Sequence, residues 1–275
     1  MQIDSIIKRS RFQNTQLCLN EARFGFAHIR EYLKKFKDGS SVLEIGCGSG
    51  ILLAMCSEIY KKLNFDGLEP FADDFLNFSA VNDYVKSQFK PKNVVIEKIL
   101  FEEFKPHKRY DLIYLVNVFE HLKSWEKLLV VLDDWLTDSG VCVVLCPNHS
   151  FPYEPHFMIP IIFNKKITFK LFENFIINHK KSKDGIGFWS GLNFVKKKDV
   201  EKFVKNNSRL LLSDRREVLE QMILRLHTDT EFKKRHKIVG FVGSIMLKLR
   251  ISKMFNINFF SRYSPYMKLE FRKIS

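Results

Sequence analysis

The run Val42-Leu43-Glu44-Ile45-Gly46-Cys47-Gly48-Ser49-Gly50, with the apolar stretch from Ile51 to Tyr60 behind it, restricts the fold of this chain more than any other feature. A short strand, a glycine turn and a helix in immediate succession open a βαβ unit, and parallel strands need such helical crossovers. Gly46 lets the chain leave the strand in a conformation that a side chain would obstruct, and Gly48 lets backbone approach a ligand closely. The helix that follows offers unpaired N–H groups and a positive dipole end to a polar ligand.

The rest of the first half repeats the pattern. Residues 16–37 are expected to form a helix, with Leu17, Ala22, Phe26, Ile29, Leu33 and Phe36 at helical spacing. Phe65–Leu68 is expected as a second strand, ended by Pro70, which cannot continue a central ladder. A helix over 71–88 and a third strand at Val94–Ile96 follow. Tyr110–Val116 is a continuous apolar run, as in a parallel strand covered on both faces. A helix over Ser124–Leu136 then leads to a fifth strand at Val141–Leu145. Five strands alternating with helices predict a doubly wound, mostly parallel α/β sheet, with ligands at the carboxyl ends of its strands.

Two acidic residues sharpen the reading. Glu44 lies inside the first strand, where a carboxylate is costly unless it is hydrogen-bonded or paired. Glu69, at the end of the second strand, is placed to accept from two ribose hydroxyls. A nicotinamide-dependent oxidoreductase shares that carboxylate but favours G-x-G-x-x-G, and position 51 here is Ile.

Val42–Gly50 resembles motif I of the class I S-adenosylmethionine-dependent methyltransferases. The resemblance continues through Gly67-Leu68-Glu69-Pro70, Tyr110-Asp111-Leu112-Ile113, Asn117-Val118-Phe119-Glu120-His121-Leu122 and the stretch from Leu136 to Asn148. It spans roughly residues 25–150 and implies a seven-stranded Rossmann-like sheet, S-adenosylmethionine as cofactor and methyl transfer as the reaction. Within it, Gly46, Gly48 and Gly50 line the methionine side, with Glu44 at the base of the loop. Glu69 takes the ribose, Pro70 and Phe71 follow beneath the adenosine, Ile99 covers the adenine face, and Asn117 lies near the methionine carboxylate or sulfonium. The acidic residue that many members place against the adenine amino group has no counterpart in Glu97-Lys98-Ile99-Leu100-Phe101. The family's sheet closes with an antiparallel pair, for which Asn193–Val195 and Met267–Phe271 are the candidates.

On the acceptor side, His121 suits proton transfer near neutral pH. The segment Asn148-His149-Ser150-Phe151-Pro152-Tyr153-Glu154-Pro155-His156 leaves the fifth strand at the ligand end of the sheet. His149 and His156 are the preferred base candidates. Some small-RNA methyltransferases of the superfamily bind a metal through a glutamate three residues before a Glu-His pair. Asn117 stands at that position here, so no metal is expected.

The division expected is an N-terminal helical segment capping the site (1–40), a cofactor-binding core (41–150) and a basic, helix-rich C-terminal region facing the substrate and completing the sheet (151–275). Residues 1–150 hold 19 Lys and Arg against 20 Asp and Glu, whereas 151–275 hold 26 against 11. Such a field attracts anionic partners. The Pro147-Asn148 turn, the Tyr153-Glu154-Pro155-His156 stretch and the long C-terminal tail together resemble bacterial methyltransferases associated with cell-surface polysaccharides, lipid-linked sugars or quinones, so the acceptor expected is a small molecule, a sugar or a lipid-linked compound, methylated at oxygen. Methylation of RNA through the basic half is the main rival, although no RNA-binding module is recognisable. Residues 239–260 mix apolar and basic residues, suiting either the core or an anionic membrane surface. Five cysteines without metal-ligand spacing, and no signal peptide, point to the cytoplasm, with peripheral membrane contact as an option. Oligomeric state is not readable from the chain.

Overall fold

The computed structural model describes residues 2–10, 12, 15–71, 78–179, 185–229, 232–233 and 261–274. At its centre lies a seven-stranded sheet built from β1 (Ser41–Ile45), β2 (Asn64–Leu68), β3 (Val94–Glu97), β4 (Tyr110–Val116), β5 (Leu136–Pro147), β8 (Leu210–Asp214) and β9 (Tyr266–Lys273), in the order β3-β2-β1-β4-β5-β9-β8. Strands β1 to β5 pair in parallel, and β9 runs antiparallel to both of its neighbours. This is the Rossmann-like methyltransferase arrangement. The strand order reverses between β1 and β4, which opens the ligand crevice there.

Because successive side chains point to opposite faces, the strands divide their apolar residues between two cores. Val42, Phe65, Leu112, Tyr114, Val143 and Leu145 face one layer, packed with residues from α1 (Gln2–Arg9), α2 (Thr15–Leu33), α3 (Ile51–Ile59) and α4 (Phe78–Phe89). Leu43, Ile45, Ile113, Leu115, Val144 and Leu269 face the other, with residues from α5 (Trp125–Trp135) and α8 (Lys197–Asn207). A third, aromatic cluster lies outside the sheet. It joins the two-stranded hairpin of β6 (Tyr153–Glu154) and β7 (Ile159–Pro160) to α6 (Lys165–Ile177) and α7 (Gly185–Gly191).

Several expectations are corrected. The closing pair is β8 with β9, so Met267–Phe271 is a strand and Asn193–Val195 is not. Asn193 is instead a bracket. Its amide donates to the carbonyls of Phe119 and Leu122, and its Oδ1 accepts from the N–H of Val195. Asp214 ends β8, and the helix after it is α9 (Val218–Thr228). The fifth strand, expected at Val141–Leu145, begins already at Leu136 and carries a bulge, where Tyr110 pairs with Leu136 and Leu112 with Val141. Residues 239–260, and 72–77 of the helix expected over 71–88, lie outside the described residues. Among the described residues no helix is long and apolar enough to cross a membrane.

Candidate active site

The carboxyl ends of β1, β2, β4 and β5 carry Gly46, Glu69, Asn117 and Asn148. Gly46, Gly48 and Gly50 all have positive φ, at +72°, +50° and +71°. At Gly46 space is the stricter condition, because a Cβ there would lie 2.5 Å and 2.6 Å from the two methyls of Val118. The loop is tied to the next strand. The N–H groups of Gly46 and Cys47 donate to the Leu68 carbonyl, and that of Gly48 donates to Glu69 Oε2 at 2.8 Å. Glu69 Oε1 accepts from the Phe71 N–H at 3.3 Å. Burial raises the Glu69 pKa while these two N–H groups lower it, and burial prevails.

Glu44 is fully enclosed and accepts from the Tyr114 hydroxyl at 3.0 Å. Burial pushes its carboxyl up to about 8, opposed by Tyr114 and reinforced by Glu69. Asn117 also has a positive φ, 55°. Its N–H donates to the Leu145 carbonyl at 2.8 Å, its Nδ2 donates to Glu21 Oε2 at 3.3 Å, and the Tyr266 hydroxyl donates to its Oδ1. Glu21 in turn pairs with Arg225 at 2.8 Å, and Arg225 pairs with Asp229 at 2.9 Å. The Asn117 amide is therefore committed to protein partners. Pro70 is half-buried beside Glu69, and Ile99 packs against the second core beyond β3.

The other pole is a cluster of acids and imidazoles. The 3-10 turn Phe119–His121 buries Glu120 completely, with neither carboxylate oxygen hydrogen-bonded among the described residues. His156, on the hairpin, has Nδ1 2.6 Å from Glu154 Oε1 and Nε2 3.8 Å from Glu120 Oε1. Glu154 is also fully buried and accepts from the Phe157 N–H at 2.7 Å. The His121 and His156 rings meet edge-on at 5.2 Å, and Phe188 lies against both. His149 is brought to the same group from behind. It is buried, stacked on Phe194 at 4.5 Å, with Nε2 3.9 Å from Glu154 Oε1.

Each environment sets a charge. Burial pulls the His156 imidazole down, but Glu154 and Glu120 outweigh it and hold the ring above its ordinary value. Burial would raise Glu154, yet His156, His149 and the Phe157 N–H keep it well below the usual carboxylate range. Burial pushes Glu120 up to about 7 against the pull of His156. Burial, with His156 adding to it, drives His121 down to about 3, so that ring is neutral. Glu120, His121 and His156 bring one ligand atom each within 4.8 Å of one another, a set that could hold a cation. A proton on His156, shared between two carboxylates, competes with such an ion for the same lone pair.

A family model described as a methyltransferase domain matches residues 19–214. An uncharacterised protein of Mycobacterium tuberculosis is 31% identical over 212 residues, 77% of this chain and 71% of that protein. The (S)-coclaurine N-methyltransferase of Thalictrum flavum is 27% identical over 150 residues, 52% of this chain and 40% of the plant enzyme, so the chain spans less than half of that relative. Among solved structures, coclaurine N-methyltransferase bound to N-methylheliamine and S-adenosylhomocysteine aligns with a TM-score of 0.50 at 17% identity, covering 96% of this chain and 72% of that one. The cyclopropane synthase MmaA2 of Mycobacterium tuberculosis aligns with a TM-score of 0.53 at 16% identity, covering 90% and 82%.

The fold and the glycine site define a nucleotide-cofactor enzyme of the Rossmann-like class. The chain belongs to the class I S-adenosylmethionine-dependent methyltransferase family, with S-adenosylmethionine as its cofactor. The residues present fit that group: the glycine loop turns at positive φ directly before the N-terminus of α3, where backbone can approach a ligand, and Glu69 offers a carboxylate beside it. The oxidoreductase reading is set aside by this membership.

Glu120 and Glu154 stand in the sequence motifs already quoted, but their burial around one imidazole had no local signal. Glu21, Arg225 and Phe188 were missed altogether. Arg225 meets Glu21 across 204 residues of sequence, and a contact of that kind leaves no trace in residue spacing.

Proposed function

We propose that this methyltransferase acts on an oxygen of a small-molecule, sugar or lipid-linked acceptor in the cytoplasm. The observation that carries the reading is His156 held between two buried carboxylates, with Glu154 on Nδ1 and Glu120 facing Nε2. When bound, S-adenosylmethionine supplies an electrophilic methyl group on a sulfonium. The glycine loop and Glu69 would hold the cofactor by its amino-acid and ribose parts. Positioning of the acceptor oxygen in line with the methyl then supplies much of the rate. Glu120, poised near neutrality, receives the acceptor proton, since a base works best with a pKa near the operating pH. His156 faces the Glu120 carboxylate and compensates its charge until the acceptor proton neutralises it, Glu154 orients His156, and His149 supports Glu154 from the protein side. Phe188, Phe157 and Trp189 supply an aromatic wall beside this centre. Five cysteines without disulfides support a reducing compartment.

An amine acceptor is the second reading, favoured by the two buried carboxylates, which suit an ammonium, and by the likeness to N-methyltransferases. Incubation of the enzyme and methyl-labelled cofactor with fractionated cell extract tests both. Label on a hydroxyl of a metabolite or lipid is expected. Label on nitrogen would establish the amine reading, and label confined to RNA would overturn both. With the acceptor in hand, Glu120→Gln and His156→Ala should each lower kcat by about a hundredfold or more while affinity for S-adenosylhomocysteine stays nearly intact. His149→Ala should act mainly on stability. Full activity in both Glu120→Gln and His156→Ala would refute the assigned centre.

A further inference from the structure

Helix α6 has two apolar faces, and among the described residues only one of them is packed. Thr168, Phe172 and Ile176 turn inward to the aromatic cluster of Phe157 and Trp189, which reaches His156 through Phe188. On the outer side Ile167, Leu171 and Phe175 recur every four residues, with Phe163 just before the helix. Phe163 is 88% exposed, Leu171 62% and Phe175 50%, in a chain where isolated exposed apolar residues are ordinary but an aligned row is not. Four residues along a helix return side chains to nearly the same face, so Ile167 and Leu171 share one ridge; the helix kinks at Phe172 (φ −115°, ψ 18°), and the exposed Phe175 continues the apolar surface beyond the kink. Lys166 and Lys170 are exposed along one flank of the ridge, and Glu173 is the only acidic residue of the helix.

We propose that this outer face of α6 docks on an anionic lipid surface. A row of Ile, Leu and Phe with lysines beside it matches the interfacial pattern, in which apolar side chains enter the headgroup boundary and lysine ammonium groups reach the phosphates. Charge decides among the possible occupants. A second copy meeting this face about a two-fold axis would set Lys166 and Lys170 against like charges. Residues 239–260 of this chain carry Lys248, Arg250 and Lys253 and no acid, so they would do the same. Anionic headgroups satisfy every lysine at once, and the excess of Lys and Arg beyond residue 150 adds to the attraction. Docking by α6 sets the aromatic wall of the acceptor centre directly behind the lipid contact. The inference stands on the outer face alone and is independent of which atom is methylated.

Flotation of the full chain with vesicles tests it, using equal parts phosphatidylcholine and phosphatidylglycerol beside phosphatidylcholine alone. Binding is expected to the anionic vesicles and to weaken as salt rises. Leu171→Glu with Phe175→Glu lies on exposed positions, and unchanged circular dichroism and S-adenosylhomocysteine affinity would show the fold intact. This double variant should lower the partition coefficient at least about tenfold. Lys166→Gln and Lys170→Gln should each lower it by about fivefold. Absence of flotation at low salt overturns the proposal, as does equal flotation of the folded Glu variant, which would assign binding to another surface. A concentration-dependent doubling of mass in light scattering, abolished by Leu171→Glu, would make the face a self-interface and overturn it as well.

Discussion

Replacing Gly46 with Ala isolates how β4's trailing turn holds the cofactor loop. Two costs apply, and the structure separates them. The first is backbone strain: at φ +72° an alanine sits in the left-handed region, which costs an L-residue about 1–2 kcal/mol. The second is steric, because the new methyl would lie 2.5 Å and 2.6 Å from Val118 Cγ2 and Cγ1. Val118 is half-buried against the second core, so it cannot simply swing away, and overpacking of this kind costs about 1–3 kcal/mol. Gly46→Ala should therefore lower unfolding free energy by about 2–5 kcal/mol. Val118→Ala removes both clashing methyls and leaves only its Cβ, at 3.1 Å. In the double variant the steric part should vanish while the strain remains, giving a coupling energy of about 1–3 kcal/mol in a double-mutant cycle. Gly48→Ala is the internal control. Its φ is +50°, and its Cβ would meet only the Phe78 ring at 3.5 Å, so strain alone should appear. Urea denaturation of all five proteins without cofactor supplies the numbers. Strictly additive costs for Gly46→Ala and Val118→Ala would refute the claim that Val118 abuts the loop.

Glu44 makes apo-protein stability depend on pH. Its carboxyl moves from 4.5 to about 8 on folding, so the folded state holds a proton that the unfolded state has released, and stability falls as pH rises between those values. A shift of that size corresponds to roughly 5 kcal/mol; the loss should disappear in Glu44→Gln, and an identical pH profile for the two proteins would sink the assignment. Glu69→Ala should weaken S-adenosylhomocysteine binding at least about tenfold by calorimetry, about 1.4 kcal/mol, because the ribose acceptor and the Gly48 anchor are lost together. An unchanged dissociation constant in the folded variant would refute the ribose role. Chelation should leave turnover unaltered, since Glu154 and Glu120 raise the His156 pKa and so favour a proton over a metal ion on its ring; loss of activity restored by zinc or manganese would show instead that Glu120, His121 and His156 ligate an ion.

Local chemistry made much of the cofactor half legible. Strand, glycine turn and helix are short-range events, and the period-two and helical spacings of residues 40–148 report which faces are buried without reference to distant partners. Hence β1 to β4, the glycine loop and the position of Glu69 all stand where the spacing puts them. The closing pair of strands was not legible in full. Leu210–Asp214 carries no strong alternation, and it is a strand because β9 offers it a ladder from the far end of the chain. Asn193–Val195 has an apolar pair after an asparagine, yet Asn193 spends its amide on the turn before α5.

The acceptor centre shows the same division more sharply. Sequence brings His149, Glu154 and His156 to one segment because they are neighbours in the chain, and it brings Glu120 beside His121 for the same reason. That Glu154 separates His149 from His156, that Glu120 is sealed from solvent, and that burial lowers the His121 pKa while Glu154 and Glu120 raise that of His156 are results of packing between elements. Desolvation is a property of the whole surroundings of a group, not of its neighbours in sequence. The residue types were therefore fixed locally, and their protonation states only by the fold that encloses them.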